Sequence, residues 1–533
     1  MKAFSSSASS TPPRRHLALW FALLTLLGIW PALSNSQPFF YPDTPAYIRG
    51  ADLAISRILG NQFATDWASD PRRAIDPESP AVASELPSST QAKNRRVVLA
   101  GRSIIYGALL YLGHAFRGMW FSVVVQSFMA IWLVFIFIVK TLRLDFESFL
   151  IVVGFLFLAS PLPFFLSFLM PDVLAGFLIL AFAILAMSGD RLNRAEYAYT
   201  IAVSVFAVLS HATHLLLLIG LTLMACSWRA ARGSSEERIP LRRLLALALS
   251  CAVAAIVWES AFFFAVNRVL GAPPVRPPFI MAKLVSITDR TTLAKICATK
   301  QFVVCRFQKR FSPDAEAFLW STNDRVGIFN LADTPTKRML SDEQLRFAVA
   351  VLPMNARHIL LRSCQDTFRQ LYHTGLGEFV YTPSAAEFLK DRLPARDFQK
   401  LAASVAARSD DYFIFGQTFL LLATVLSAIT IAMLFYQLSR TADTSGNALE
   451  QQTTWKMATY YLLSGIVLNA IICGTLGVVN HRYEARVIWL LQLASISGIC
   501  VMAPYLPAVF FGSRKRPHMA ALRADRYHIS AGE

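Results

Sequence analysis

Asp43 is the side chain with the clearest chemical promise in this 533-residue sequence. It lies in Pro38-Phe39-Phe40-Tyr41-Pro42-Asp43-Thr44-Pro45-Ala46-Tyr47-Ile48-Arg49, directly after the first apolar run, Leu17–Leu33. A carboxylate there meets the membrane–water boundary, where it stays ionised while facing an apolar surface. The prolines fix φ and remove backbone donors, so an extended or turn-rich path is expected. Phe39, Phe40, Tyr41 and Tyr47 suit the interfacial zone, where aromatic rings settle. The alternative is that Asp43 only caps a short helix through Pro45-Ala46-Tyr47. Far along the chain, Arg482 and Arg486 flank Tyr483 and Glu484 at another helix start. A guanidinium binds phosphate through paired N–H groups. Its alternative there is ordinary snorkelling toward the interface.

These residues need a scaffold, and the composition says which kind. The chain is 55% hydrophobic, its mean hydropathy is +0.45, and 40 residues are Phe. Several runs exceed the roughly 18 apolar residues that mark a spanning helix, so an all-α polytopic membrane protein is expected. The net charge of +17 does not point to nucleic acid, because many of the basic residues lie in short segments between apolar runs. Seven cysteines form no Cys-x-x-Cys pair, so no thiolate metal site is indicated.

Ten spans are expected: Leu17–Leu33, Met119–Val139, Phe149 to about Phe168, Val173–Met187, Tyr197–Leu209, Leu215–Trp228, Leu244–Val266, Phe413–Leu438, Met457–Val479 and Val487–Phe511. Leu99–Phe116 is read as an interfacial helix. With that assignment Arg14/Arg15, Lys140/Arg143, Arg191/Arg194, Arg229–Arg243, Arg440/Lys456 and Arg514–Arg516 share one side, the cytoplasm by the positive-inside rule. Both termini are then cytoplasmic. The loops 38–118 and 267–411 are external, with Arg72–Arg96 read as a flexible stretch. Three regions follow: an N-terminal membrane module (1–266), an external loop domain (267–411) and C-terminal helices with a basic tail (412–533). An external Cys297–Cys305 disulfide becomes plausible on the oxidising side. Glu259 either pairs with Arg268 or reaches the interface.

Four elements resemble the GT-C superfamily of integral-membrane glycosyltransferases, which includes protein mannosyltransferases and aminoarabinose transferases. Tyr41-Pro42-Asp43-Thr44-Pro45-Ala46-Tyr47 is similar to the acidic element of the first external loop in that group. Gly101-Arg102-Ser103-Ile104-Ile105-Tyr106 is similar to its Gly-Arg-Pro-x-x-Tyr, with Ser in place of Pro. Met170-Pro171-Asp172-Val173-Leu174 resembles the acidic element of the second external loop, and His481-Arg482-Tyr483 the late Arg-Tyr element. The resemblance covers about Leu17–Trp228 plus the late element.

The resemblance implies sugar transfer from a polyprenyl phosphate, with Asp43 as base and Asp172 assisting acceptor binding or coordinating an ion. Tyr47, Arg102, His211, His214, Arg482 and Tyr483 are the candidate substrate-binding residues. His211 and His214 sit between two short spans, where they form either a satisfied polar kink or contacts to phosphate or acceptor. The implied partners are the bilayer, the lipid-linked sugar, and an acceptor that is a lipid, glycan or protein. The cofactor is unknown: Asp43 and Asp172 suit Mg²⁺ or Mn²⁺ if an ion is used. The implied place is the cytoplasmic (inner) membrane. Two other readings remain: a transporter or flippase for a lipid-linked saccharide, and an inactive scaffold of a polysaccharide assembly complex.

Overall fold

The computed structural model describes residues 13–69, 98–116, 118–188, 190–232, 241–414, 416–440 and 447–503. Arg72–Arg96 and Arg514–Arg516 lie outside these residues. Helices carry nearly all the regular structure, and the isolated bridges Phe39–Phe168 and Leu99–Val275 stand in for sheet. Among the described residues six helices are long and apolar enough to cross a membrane: Trp120–Thr141, Ala212–Ala231, Leu241–Val269, Gln417–Ser439, Leu449–Leu476 and Arg482–Met502. Arg15–Gly28, Ile104–Phe116, Phe146–Ala159 and Val173–Ser188 are shorter apolar helices. Val173–Ser188 is buried almost throughout and forms the centre of the bundle.

Two expected spans are interrupted. The first breaks at Ile29, which leaves helical geometry (φ −108°, ψ 25°) before a short helix Trp30–Ser34. Pro31 is the cause: it has no N–H to continue the ladder, and its ring would clash with the carbonyl four residues back. Pro161 ends Phe146–Ala159 in the same way, and Leu162–Ser167 restarts it.

Within Leu99–Phe116, expected at the interface, the chain forms the helix Ile104–Phe116, laid against Thr44–Leu59. Gly107 permits that approach. A methyl group there would lie 2.1 Å from the Tyr47 carbonyl oxygen. Glu259 pairs with Arg276 (2.6 Å), not with Arg268.

Apolar side chains of the 267–411 region divide between two cores. Val275 to Ile359 enclose a core of their own around Val304, Ile328 and Phe347. Cys297 and Cys305 are joined by a disulfide at its edge, with Cα atoms 5.4 Å apart. By contrast, Phe379, Tyr381, Leu389 and Phe413 belong to the main core of the bundle.

The bundle has two distinct ends. At one end short basic loops are tied together by ion pairs: Lys140–Glu196 (3.3 Å), Arg143–Glu450 (2.9 Å), Arg191–Glu450 (2.6 Å) and Arg243–Asp190 (2.5 Å). The other end carries the loop after the first span, the Val275–Ile359 core and the 376–413 segment. Single cysteines at Glu147 and Ser384, in a Cys364→Ser background, should therefore report opposite faces. An impermeant thiol reagent applied to intact cells is expected to modify one and not the other; equal labelling of both would contradict the two-ended bundle.

Candidate active site

The loop that carries Asp43 is held from several sides. Phe39 N donates to Ser167 O (3.0 Å) and Leu169 N donates to Phe39 O (3.0 Å), which lays the loop along Phe168–Leu169. Thr44 Oγ1 donates to Leu169 O (3.0 Å) and accepts from Tyr41 N (2.9 Å). Tyr381 Oη both donates to Phe40 O (2.9 Å) and accepts from Phe40 N (3.0 Å). Asp43 and Met170-Pro171-Asp172 thus arrive together although 129 residues separate the two acids (172 − 43).

Asp43 precedes the helix Thr44–Leu59 but its carboxylate makes no cap. That corrects the capping alternative, and the reason is a stronger partner. Arg102 Nη2 lies 2.5 Å from Asp43 Oδ1, and a charge-assisted bond outweighs an ordinary cap. Arg482 stands between the two acids. Its Nη1 is 3.7 Å from Asp43 Oδ2 and its Nε is 3.6 Å from Asp172 Oδ1. Arg486, one turn further along the same helix, places Nη1 3.4 Å from Asp172 Oδ1. The Arg482 guanidinium also lies over the rings of Tyr41 (4.5 Å) and Tyr483 (4.9 Å). Behind it, Arg486 Nη2 donates to Asn469 Oδ1 (2.9 Å), and Asn469 Nδ2 donates to Glu484 Oε2 (3.0 Å). These arginines point into the protein, so snorkelling does not describe them: Arg482 is 10% exposed and Arg486 2%.

Three guanidiniums thus face the carboxylates of Asp43 and Asp172, with Glu484 and Glu378 close behind them. Arg482 Nε and Nη1 are too far from the acids for hydrogen bonds and have no hydrogen-bond partner among the described residues. The helices beginning at Thr44, Ile104, Val173, Ala212 and Arg482 all start at this site. Their N-terminal N–H groups and dipoles reinforce the positive potential.

Electrostatics follow from this arrangement. Burial pushes the Asp43 carboxyl up, but Arg102 and Arg482 prevail and hold it below the usual carboxylate range. Burial, with the Arg486, Arg102 and Arg482 charges adding to it, pushes the His211 imidazole down to about 3. Burial raises the Tyr41 phenol.

Asp43, Asp172, Arg102, Arg482 and Tyr483 therefore meet. Ser103 Oγ donates to Leu209 O (2.8 Å), which brings His211 within range of the same charges. Tyr47 is buried with its ring edge-on to Tyr106 (5.4 Å) and supports the site from beneath. His214 is fully buried; Nδ1 bonds Ala207 O (2.7 Å) and Nε2 has no partner among the described residues, so the histidine kink is only partly satisfied. Arg486 was marked in the sequence beside Arg482, which it follows by four, the spacing that shares a helix face; Tyr41 was expected only as an interfacial aromatic, and its place under the Arg482 guanidinium is new. Glu378 has no such signal: it accepts from the His481 and Arg482 backbone N–H groups (2.7 and 3.4 Å) and so sets the start of the last helix. Among the described residues no group of three or more His, Cys, Asp or Glu side chains is placed to hold a metal ion.

No family model matches the chain, and no curated protein does. A crystal structure of ArnT from Cupriavidus metallidurans bound to undecaprenyl phosphate is similar at 14% identity, over 93% of this chain and 79% of that one, with a TM-score of 0.32.

The depressed His211 value has a consequence for stability. Between about 6.5 and about 3 the unfolded chain binds a proton that folded His211 does not, so the fold loses stability as pH falls through that window. His211→Gln is expected to flatten the decline in melting temperature between pH 7 and pH 5 in detergent. An unchanged slope would remove His211 as its source.

Proposed function

We propose that the protein transfers a sugar from a polyprenyl-phosphate donor to an acceptor at the face of the membrane that carries the Asp43 site. The observation that carries this reading is Arg482, buried between Asp43 and Asp172 with two donors unused. That arrangement suits a phosphate on one side and a hydroxyl acceptor beside a carboxylate on the other.

In such a reaction the acceptor oxygen attacks the anomeric carbon as its proton passes to Asp43. The bond from that carbon to the lipid phosphate oxygen breaks, and the electron pair stays on the phosphate. A singly charged diester becomes a monoester with a second negative charge. Arg482, with Arg486 and Arg102, offsets that developing charge, which is the usual larger share of such catalysis. Pairing with Arg102 and Arg482 keeps Asp43 ionised but makes it a weaker base. A phosphate that engages Arg482 draws the guanidinium from Asp43, so basicity rises when the donor is in place. Asp172 holds Arg482 and Arg486 in position for this exchange. The positive-inside rule assigns the basic end to the cytoplasm and both termini with it, so the Ser384 cysteine is the one expected to be labelled in intact cells.

Purified protein in nanodiscs, given a polyprenyl-phosphate sugar, provides the assay. Asp43→Asn keeps shape and removes basicity, and is expected to lower the transfer rate by about 10²–10⁴. Arg482→Lys keeps charge but loses the planar fork, and is expected to raise the donor KM more than it lowers kcat. If Asp43→Asn inserts normally and transfers sugar at the wild-type rate, the base assignment is wrong. If the wild type transfers nothing from any polyprenyl-phosphate sugar, the scaffold reading takes its place.

A further inference from the structure

The helix Thr334–Tyr372 is turned inside out beyond its kink. Pro353 removes a backbone donor, and Asn355 leaves helical geometry (φ −139°, ψ 23°). Asn355 Nδ2 donates to Thr292 Oγ1 (3.0 Å), which holds the bend against the disulfide-bearing core. Past the bend, the face turned toward the protein is largely polar. Asp366 receives Lys283 Nζ (2.8 Å), and Gln370 exchanges hydrogen bonds with the Asn480 backbone (2.8 and 3.0 Å). The outward face carries large apolar side chains: Leu360, Leu361, Phe368 and Tyr372 are 63%, 54%, 66% and 64% exposed. In water the opposite arrangement is the stable one.

Its position supplies the reason. Gly474, in the last turn of the span Leu449–Leu476, lets the backbone of Thr367 approach so closely that an added Cβ would lie 2.8 Å from it. The outward face therefore sits at the bilayer boundary. Arg357, Arg362 and Arg369 are exposed along it, Arg369 at its edge with Nη1 3.9 Å from Asp366 Oδ1. Arginine in hydrocarbon is costly, whereas at headgroup level its fork pairs with phosphate.

We propose that residues 356–372 form an interfacial anchor that binds the anionic headgroups of membrane phospholipids, with Leu360, Leu361, Phe368 and Tyr372 in the acyl boundary and the three arginines on lipid phosphates. This surface is separate from the Asp43 site and does not depend on the reaction assigned there.

Cys364 lies on the same outward face and is exposed, so a nitroxide attached to it reports the surface directly. The full chain, with Cys226, Cys251, Cys473 and Cys500 replaced by Ala, is placed in nanodiscs of phosphatidylcholine alone or with phosphatidylglycerol. The label is expected to be open to dissolved oxygen and shielded from a water-soluble nickel chelate. Each arginine is worth about fivefold in headgroup binding. Arg357→Gln/Arg362→Gln/Arg369→Gln should accordingly lose most of the phosphatidylglycerol retained on native mass spectrometry, and the corresponding Lys variant should keep it. A label as open to the nickel chelate as one at Glu147→Cys overturns the proposal. So does unchanged lipid retention in the Gln variant, or equal loss in the Lys variant, which keeps the charge.

Discussion

A buried guanidinium shared by two carboxylates is the constraint on which the rest depends. Arg482 is surrounded by Asp43, Asp172, Tyr41 and Tyr483 at the edge of a membrane bundle. Charges in such a place persist only when paired, and removing one partner of a buried pair typically costs about 3–5 kcal/mol because the other is stranded. The loop after the first span must therefore reach the start of the Val173–Ser188 helix, and the last helix must begin beside both. The pinning of Phe39, Phe40 and Thr44 to Phe168, Tyr381 and Leu169 is how the chain meets that demand.

The two ends of the bundle solve the same electrostatic problem differently. At the basic end, Arg143, Arg191 and Arg243 pair with partly exposed acids, and Glu450 serves two of them. Exposed pairs of this kind contribute little stability individually. They tie the loops without fixing them tightly. At the opposite end the Arg482 and Arg486 pairs with Asp172 are buried and backed by Asn469, Glu484 and Glu378. Precision is concentrated where chemistry is proposed.

The Val275–Ile359 core shapes that end as well. Ala100 N donates to Val275 O (2.7 Å) and Val478 packs against the same core. These contacts adjoin Arg102 and Arg482 in sequence, so this core braces both arginines. A small folded unit on one side of the membrane thus bears on the site without supplying its charged centre.

The sequence alone determined which stretches are helical and apolar, because hydropathy is local and adds along a run. It also marked Asp43, Arg102, Asp172 and Arg482 as polar groups at the ends of such runs. The pair Cys297 and Cys305 was legible because they alone among the cysteines share one short polar segment. Only the tertiary structure decided which acid meets which arginine. Asp43 is a fair N-cap by every local rule, and nothing within a few residues of it reveals Arg102 or Arg482. The break at Ile29 was open to reading from Pro31, whereas the polar inner face of residues 356–372 was not: its pattern fits a solvent-facing helix until its neighbour is known to be a membrane span. Local propensity and burial are properties of neighbouring residues; the pairing of charges 59 to 439 positions apart (102 − 43, 482 − 43) is a property of the packed bundle.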